Sequence, residues 1–280
     1  MAQPTPSLYA LDPALPVLLR PDGAVQVGWS PRRAVLIHPP RGMTPVGLAA
    51  LLRTMQSPVP VSELQRQAGG VAAGELGDLV AQLITAGVAI RGHRQRPTRS
   101  ASIRVHGRGP LSELLSESLR CSGARVKATS QSHAAVSAAE ADLVVLSDNL
   151  VADPRMLRDL HAQRVAHLAV RVRDGTGLIG PLVIPGVTSC LGCADLHRRD
   201  RDAAWPAVAA QLRDTVGVAD RATLLATAAL ALSQVNRVIG AVRGGSASEP
   251  PAALNTTLEF DVHSGSIVAR HWPKHPLCSC

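Results

Sequence analysis

The hydrophobic pattern of the first 90 residues predicts short strands and three helices. Two apolar runs flank a Pro-Asp-Gly turn in LPVLLRPDGAVQVGW (15–29), which is typical of a β-hairpin, and a third run covers 34–38. Thr44 offers an N-cap for a helix whose apolar residues recur at helical spacing. Two more helices, at 62–68 and 76–84, and a returning strand at 88–90 complete the pattern. We interpret residues 1–90 as a small winged-helix domain.

The rest of the chain alternates strands with helices. Residues 91–100, RGHRQRPTRS, contain four arginines and no apolar residue, so we predict a basic linker. Beyond it the pattern predicts elements at 103–106, 111–121, 124–127, 142–146, 156–163 and 165–172. This succession is typical of a doubly wound, mostly parallel Rossmann-like sheet. We therefore predict an α/β domain over residues 101–280, with a long Ala/Leu helix (221–243) and a final hairpin.

Composition excludes several classes of function. Apolar residues make up 46% and charged residues 18% of the 280 residues, which indicates a globular chain. Only five residues are aromatic, so a base-stacking platform for RNA or single strands is not expected. A net charge of +8 allows contact with nucleic acid or with acidic peptides. With neither a secretory signal nor an apolar stretch of ~20 residues, we expect a cytoplasmic protein without a membrane segment.

Four of the five cysteines form two close pairs, Cys190-x-x-Cys193 and Cys278-x-Cys280. Two such pairs supply the four thiolates that a structural zinc ion prefers, with no position left for water. The fold would have to bring the pairs together. The alternatives are free or redox-active pairs, or ligation by His197, His271 or His275. The fifth, Cys121, lies on an apolar helix, so we expect it in the core.

Two weaker signals suggest a nucleotide site. Gly107 and Gly109 follow a strand and precede a helix, the context in which a glycine-rich turn holds phosphate, although Pro110 removes one amide. No acidic residue follows the second strand to bind a ribose, which disfavours a dinucleotide enzyme. Asp148 and Asn149 end a buried strand at the edge where such sheets bind ligands. The alternative for this pair is a turn and helix cap.

Taken together, these motifs resemble the ThiF/MoeB family, the bacterial relatives of ubiquitin-activating enzymes. The resemblance covers residues 101–280: the glycine turn, DLVVLSDN at 142–149, and GLIGPLVIPGVTSCLGC at 177–193 before the terminal cysteine pair. It implies that Asp148 would bind Mg²⁺ and that Gly107 and Gly109 would line ATP. Family enzymes also carry a ribose acid, an Asn-x-x-Arg-Gln segment and a lysine in the interval that is residues 128–141 here. This interval contains no Arg or Lys and one acid, Glu140, so we expect adenylation to be lost.

The first 90 residues resemble the winged-helix precursor-recognition element of azole-forming peptide-modification systems. In the cyclodehydratase partner proteins of those systems, the activating-enzyme fold is kept for zinc, dimerisation and delivery of a leader peptide. The leading hypothesis is therefore a non-catalytic homodimeric scaffold that presents a peptide or protein substrate to a partner modifying enzyme. The second hypothesis is an adenylyltransferase that needs Asp148, and the third is a winged-helix DNA-binding protein. Nucleic acid is not the expected partner, because the predicted helix at 76–84 contains Asp78 and follows Glu75.

A leader peptide would add as a strand beside the hairpin and lie against the third helix. The candidate contacts are Val25, Val27, Leu79, Leu83 and Arg91. The alternative is that the four apolar residues belong to the core of the domain.

Overall fold

The structure is a computed structural model that describes residues 7–93, 99–131, 136–244 and 249–280. The chain divides into two compact units, Met1–Arg96 and Pro97–Cys280. Residues 94–98 of the predicted basic linker, and residues 132–135 of the interval between the second and third strands of the predicted α/β domain, lie outside the described residues.

Unit 1 contains two small antiparallel sheets. β1 (Ser7–Leu11) pairs with β5 (Val59–Pro60) and with β6 (Ala89–His93). The second sheet has the order β2 (Val17–Leu19), β3 (Val25–Val27) and β4 (Val35–Ile37), so the predicted hairpin is present as β2 and β3. The returning strand is present as β6, and it pairs with β1, a strand that the sequence analysis did not predict.

Three helices complete unit 1: α1 (Pro45–Thr54), α2 (Val61–Gln67) and α3 (Ala73–Thr85). α1 begins where expected, because the Thr44 hydroxyl accepts a hydrogen bond from the backbone N–H of Gly47 at 3.1 Å. Leu48, Leu52, Leu64 and Leu83 meet in one core that also includes Val25 and Val27. Strands and three helices are therefore confirmed, and the winged-helix assignment stays a prediction.

Unit 2 is built on a seven-stranded sheet. Its strands are β7 (Ser102–His106), β8 (Arg125–Thr129), β9 (Leu143–Ser147), β10 (His167–Arg173), β11 (Thr176–Val183), β12 (Thr256–Asp261) and β13 (Ser266–His271), in the order β13-β12-β11-β10-β9-β7-β8. The four strands β8, β7, β9 and β10 are parallel, as expected. The other three extend the sheet in antiparallel fashion, and β11 is a strand that the sequence analysis did not predict.

Five helices belong to unit 2: α4 (Pro110–Cys121), α5 (Pro154–Ala162), α6 (Leu191–Arg201), α7 (Trp205–Leu212) and α8 (Arg221–Val242). α4 and α8 pack against each other, and α8 contacts β10 and β11. Among the described residues α8 alone is long and apolar enough to cross a membrane by length and composition. Ala228, Ala231, Val235 and Ile239 place one of its faces in the core.

The expectation that Cys121 is a core residue is wrong. Leu111, Leu115 and Leu119 are spaced four residues apart and form the buried face of α4. Cys121 lies two residues further along, so it points away from that face and is exposed.

Candidate functional site: a four-cysteine cluster and a capped glycine turn

The structure brings the four paired cysteines together. Cys190 is the N-cap of α6 and accepts a hydrogen bond from the N–H of Cys193 at 3.4 Å, so the first pair is fixed by one helix start. The Cys190 sulfur lies 3.8 Å from that of Cys193 and 3.5 Å from that of Cys278, and the Cys193 sulfur lies 3.5 Å from that of Cys280. All four sulfurs lie within 4.8 Å of one another. Sulfurs bound to one zinc ion at ~2.3 Å are about 3.8 Å apart, so the cluster fits a tetrahedral ion.

Contacts next to the cluster hold the C-terminal segment in place. His275 Nε2 lies 2.7 Å from a carboxylate oxygen of Asp200 on α6, and its Nδ1 accepts from the N–H of Leu277 at 3.1 Å. The carbonyl of His275 accepts from the N–H of Cys278 at 3.0 Å. His275 therefore connects α6 to the segment that carries the second cysteine pair.

The three histidines considered as alternative ligands have other positions. Both ring nitrogens of His275 are engaged as described, and Nε2 of His197 lies 3.1 Å from the carbonyl oxygen of Pro273. His271 ends β13 and is exposed. His197, Asp200 and His275 do form a second group of nearby donor atoms, but their mutual contacts already satisfy most of those atoms. The sulfur set is the better candidate for a metal.

The surroundings of Cys190, Cys193 and Cys280 shift the pKa values of their thiols in different directions. Burial raises the pKa of Cys190 well above its usual range and that of Cys280 to about 11. At Cys193 burial also raises the pKa, but hydrogen bonds from the backbone of Cys190 and of His275 and from the other thiols outweigh it and bring the pKa to about 7. Zinc binds thiolates, so metal binding here would release protons and would strengthen as the pH rises.

The glycine turn connects β7 to α4, and Asp148 closes it. The buried Asp148 carboxylate accepts hydrogen bonds from the N–H groups of Leu111 at 2.9 Å and of Ser112 at 3.1 Å, in the first turn of α4. A Cβ at Gly109 would lie 2.7 Å from an oxygen of Asp148. The close approach of this carboxylate therefore explains the need for glycine. Asp148 therefore has the geometry of a helix cap, the alternative raised for it. The helix that it caps is α4, and not α5, which follows Asp148 in the chain.

The neighbours of Asp148 complete this edge of the sheet. Asp148 has a φ of 71°, a left-handed conformation that Asp tolerates better than most residues. The side-chain amide of Asn149 donates to the carbonyl of Arg213 at 3.0 Å, and the backbone of Asn149 bridges to Val216. Asp153 is the N-cap of α5, where its carboxylate accepts from the N–H of Arg155 at 2.8 Å. Asp148 and Asn149 thus hold together β9, α4 and the segment after α7.

In unit 1 the residues named as peptide contacts divide into two groups. Val25, Val27, Leu79 and Leu83 are 0–6% exposed, so their side chains lie in the core, which is the alternative left open for them. The fifth, Arg91, is exposed, donates to the hydroxyl of Ser7 at 3.0 Å and lies 5.9 Å from the Tyr9 ring centre. Of these five side chains, the one free to meet a partner is Arg91.

One charged residue of the site was missed by the sequence analysis. Arg171 lies in the middle of β10 and is buried, next to two cavities at this end of the sheet. The signal that could have found it is the arginine inside the otherwise apolar run LAVRV, since an arginine is rarely buried without a reason.

Comparisons with known proteins identify the fold. No protein-family model matches the sequence, and no curated protein matches it. A heterocyclase solved in complex with substrate and cofactor has a TM-score of 0.67 at 15% identity, over 98% of this chain and 39% of that chain. The heterocyclase TruD has a TM-score of 0.67 at 14% identity, over 98% of this chain and 42% of TruD.

The chain therefore spans about two-fifths of the heterocyclases. It matches nearly all of E. coli MccB, solved with ATP: the TM-score is 0.62 at 13% identity, over 97% of this chain and 99% of MccB. The microcin C7 biosynthetic enzyme MccB in complex with N-formylated MccA has a TM-score of 0.61 at 12% identity, again over 97% of this chain and 99% of that one. At these identities the likeness shows a shared fold.

Proposed function

We propose that this protein is a non-catalytic scaffold of the ThiF/MoeB type, which binds a peptide substrate and presents it to a partner modifying enzyme. The observation that carries the proposal is the Asp148 carboxylate at the N-terminus of α4. In doubly wound folds the amides of that first turn bind the phosphates of a nucleotide. Here two of them are bound to the chain's own carboxylate, which also repels a phosphate.

The fold comparisons support the peptide part of the proposal. One heterocyclase of this fold was solved with a substrate, and MccB was solved with N-formylated MccA. In the proposal, the modifying activity belongs to a partner enzyme that receives the bound peptide.

The four-cysteine cluster serves this scaffold as a structural zinc site. Cys190 and Cys193 come from the start of α6, and Cys278 and Cys280 come from the C-terminal segment. With four thiolates bound, the ion has no open position, so its contribution is to hold these two parts of unit 2 together.

Strand addition is the mode of peptide binding that unit 1 offers, and β4 is the edge that receives the peptide. The N–H of Gly28 donates to the carbonyl of Pro16 and the N–H of Arg20 to that of Ala24, so Gln26, midway along β3, directs its backbone groups towards β2. Val25 and Val27 therefore bond to Ile37 and Val35 of β4, and the N–H and C=O of Leu36, opposite Gln26, point outward from the sheet. Leu36 is 51% exposed. On the opposite edge the carbonyl of Val17 in β2 already accepts a hydrogen bond from Arg53 at 3.0 Å. A peptide can therefore pair with β4 without displacing a contact among the described residues.

The charges beside β4 select an acidic peptide. Arg32 and Arg33 precede the strand and Arg41 follows it, and all three are exposed with no ion pair among the described residues. A peptide that carries acidic residues on both sides of an apolar pair would complement these arginines and the exposed Leu36. The third helix, α3, offers no such charge, since it contains Glu75 and Asp78 and neither Arg nor Lys.

The test is a search for peptide ligands followed by a comparison of two proline variants. Peptides selected from a random display library are labelled and measured by fluorescence anisotropy. Leu36→Pro removes the outward N–H of β4, so we expect the affinity to fall roughly tenfold or more. Leu19→Pro makes the matched change on the outward-facing side of β2 and should leave binding within about threefold. Equal loss in both variants, or no selected peptide, would contradict the proposal.

An adenylyltransferase that acts on a carrier-protein or peptide C-terminus is the second candidate. It is favoured by one observation, the match to almost the whole length of MccB, which was solved with ATP. In this function Asp148 would bind Mg²⁺, as the family resemblance implies, and the α4 amides that it now occupies would have to become available to a phosphate. ATP turnover that Asp148→Ala abolishes would favour it.

A further inference from the structure

A cavity of about 340 Å³ in unit 2 has no role in the scaffold. It lies between the sheet and the helices α6 and α7, and we name it the arginine pocket. Its lining contains five arginines, three carboxylates and two tryptophans: Arg171, Arg173, Arg198, Arg201, Arg270, Asp195, Asp202, Glu259, Trp205 and Trp272. Leucines such as Leu150 and Leu178 complete the wall. The lining thus combines an excess of positive charge with apolar and aromatic surface.

Three of the arginines pair with two carboxylates of the pocket itself. Arg198 donates to Asp195 at 2.8 Å, and its guanidinium lies 5.3 Å from the ring centre of Trp205 and 4.7 Å from that of Trp272. Glu259 pairs with Arg270 at 2.9 Å and with Arg173 at 3.7 Å. These three arginines are therefore held in place by the wall.

Arg171 is different, because it is buried and has no hydrogen bond or ion pair among the described residues. Only 8% of it is exposed, and it lines the pocket from β10. Burial, followed by repulsion from Arg198, lowers the pKa of Arg171 to about 10. A buried charge without a partner is costly, so this arrangement favours an anion from outside.

We propose that the arginine pocket binds the oxyanion of a small organic ligand, a carboxylate or a phosphate, with Arg171 as the counter-ion. Arg171 lies one residue beyond the last pairing of β10 with β9, Val170 with Ser147, and so stands at the edge where α/β sheets bind ligands. The guanidinium presents paired N–H groups that suit either oxyanion. The apolar or planar body of the ligand lies against Trp205, Trp272 and Leu178.

The two sources of the oxyanion are separated by calorimetric titration of the full-length, zinc-loaded protein. The probes are N-acetyl-leucine as the carboxylate, AMP as the phosphate, and N-acetyl-leucinamide as the neutral control. We expect one of the two anions to bind and to change tryptophan fluorescence, since two of the three tryptophans line the pocket. The amide should not bind. Binding of neither anion, or equal binding of the amide, would overturn the proposal.

Two arginine variants connect the binding to the residue. Arg171→Met keeps the apolar stem and removes the charge, so the affinity should fall at least roughly tenfold. Arg125→Met makes the same change at an exposed position of β8, outside the pocket, and should keep the affinity within about threefold. Unchanged binding in Arg171→Met would contradict the proposal.

The melting temperature of the ligand-free protein distinguishes a ligand-binding arginine from a structural one. Removing an unpaired buried charge should raise the melting temperature of Arg171→Met by about 2 °C or more, while the ligand-dependent increase disappears. An arginine that holds the fold through contacts would show the opposite result. A variant that is less stable or unfolded therefore also counts against the proposal.

Discussion

At the scale of single residues, the proposed loss of nucleotide binding depends on the position of one carboxylate. Asp148 ends β9 in a left-handed conformation and binds two amides of α4. In this position it stabilises the helix N-terminus as a capping group does, with the additional advantage of a negative charge at the positive end of the helix dipole. Each oxygen of the carboxylate accepts one of these two bonds, so the side chain is held against the start of α4.

Substitution of Asp148 should therefore reduce stability. We expect Asp148→Ala to lower the free energy of unfolding by about 2–3 kcal/mol, since it leaves two buried amides unpaired and puts Ala at positive φ. Asp148→Asn should cost less, about 1 kcal/mol, because Asn accepts a bond and tolerates the conformation. Urea denaturation measures both. The control is Asp153→Ala, which removes the half-buried N-cap of α5 and should lower the free energy of unfolding by about 1 kcal/mol. Full stability of Asp148→Ala would contradict the capping role.

A second residue gives the protein a pH-dependent stability. Burial lowers the pKa of His167 to about 4, and its Nε2 is buried without a partner among the described residues. The unfolded chain binds a proton at this site near pH 6.5 and the folded chain does not. The stability is therefore complete above pH 6.5 and is lost as the pH falls towards 4, by about 2–3 kcal/mol.

Urea denaturation between pH 7 and pH 4.5, with a chelator present so that zinc loss does not contribute, measures this dependence. In His167→Asn the amide N–H can still donate to the carbonyl of Val165, the neighbour of Nδ1 at 3.0 Å, and the group no longer titrates. Its stability should depend less on pH than that of the wild type. An equally steep loss in both proteins would contradict the assignment.

At the scale of elements, the start of α6 and the C-terminal segment meet at the four cysteine sulfurs and at the contact between His275 and Asp200. The two cysteine pairs are 84 residues apart in sequence, so an ion there would close a long loop. Besides the cysteines, the segment is held by His275, by a hydrogen bond from Lys274 to the carbonyl of Gly186 at 3.4 Å and by the contact of Pro273 with His197, whereas Leu277 is exposed. Zinc bound to the four cysteines would add its binding energy to these contacts.

We accordingly expect one zinc ion per chain, measured by elemental mass spectrometry. Cys278→Ser should lose the zinc and make the C-terminal segment sensitive to carboxypeptidase, because one of the four ligands is gone. Cys121→Ser changes an exposed cysteine outside the cluster and should keep both the zinc and the resistance. Zinc retained in Cys278→Ser, or a protein that never contains zinc, would contradict the site.

At the scale of the whole molecule, the chain contains two units with separate cores. Leu48, Leu52 and Leu64 belong to the core of unit 1, whereas Leu115 and Val145 belong to a core of unit 2. The cysteine cluster lies entirely in unit 2. Under the proposed function, unit 1 would offer the strand edge for a peptide and unit 2 would hold the metal.

Calorimetry should show this division as two unfolding transitions. A chelator should lower the temperature of one transition and leave the other unchanged, because binding energy stabilises only the unit that holds the metal. In Cys278→Ser the same transition should already be lowered, with no further effect of chelator. A single transition, or a chelator effect on both, would contradict independent units.

The sequence analysis was most successful where local chemistry decides the structure. Alternation of apolar runs predicted the parallel strands, and the spacing of the cysteines predicted a cluster of sulfurs. It failed where long-range pairing decides: β11 was missed because its Gly- and Pro-containing segment, TGLIGPLV, lacks a strand pattern, and its pairing with β10 and β12 is invisible locally. The side-chain direction of Val25 and Val27 also depends on register, which the sequence does not determine.

The most direct test of the scaffold account is ATP–pyrophosphate exchange, measured on zinc-loaded protein with its selected peptide bound. The account predicts no exchange above background in the wild type, because Asp148 occupies the amides that a phosphate needs. Exchange that depends on the peptide and disappears in Asp148→Asn would contradict the account and would identify the protein as an adenylyltransferase.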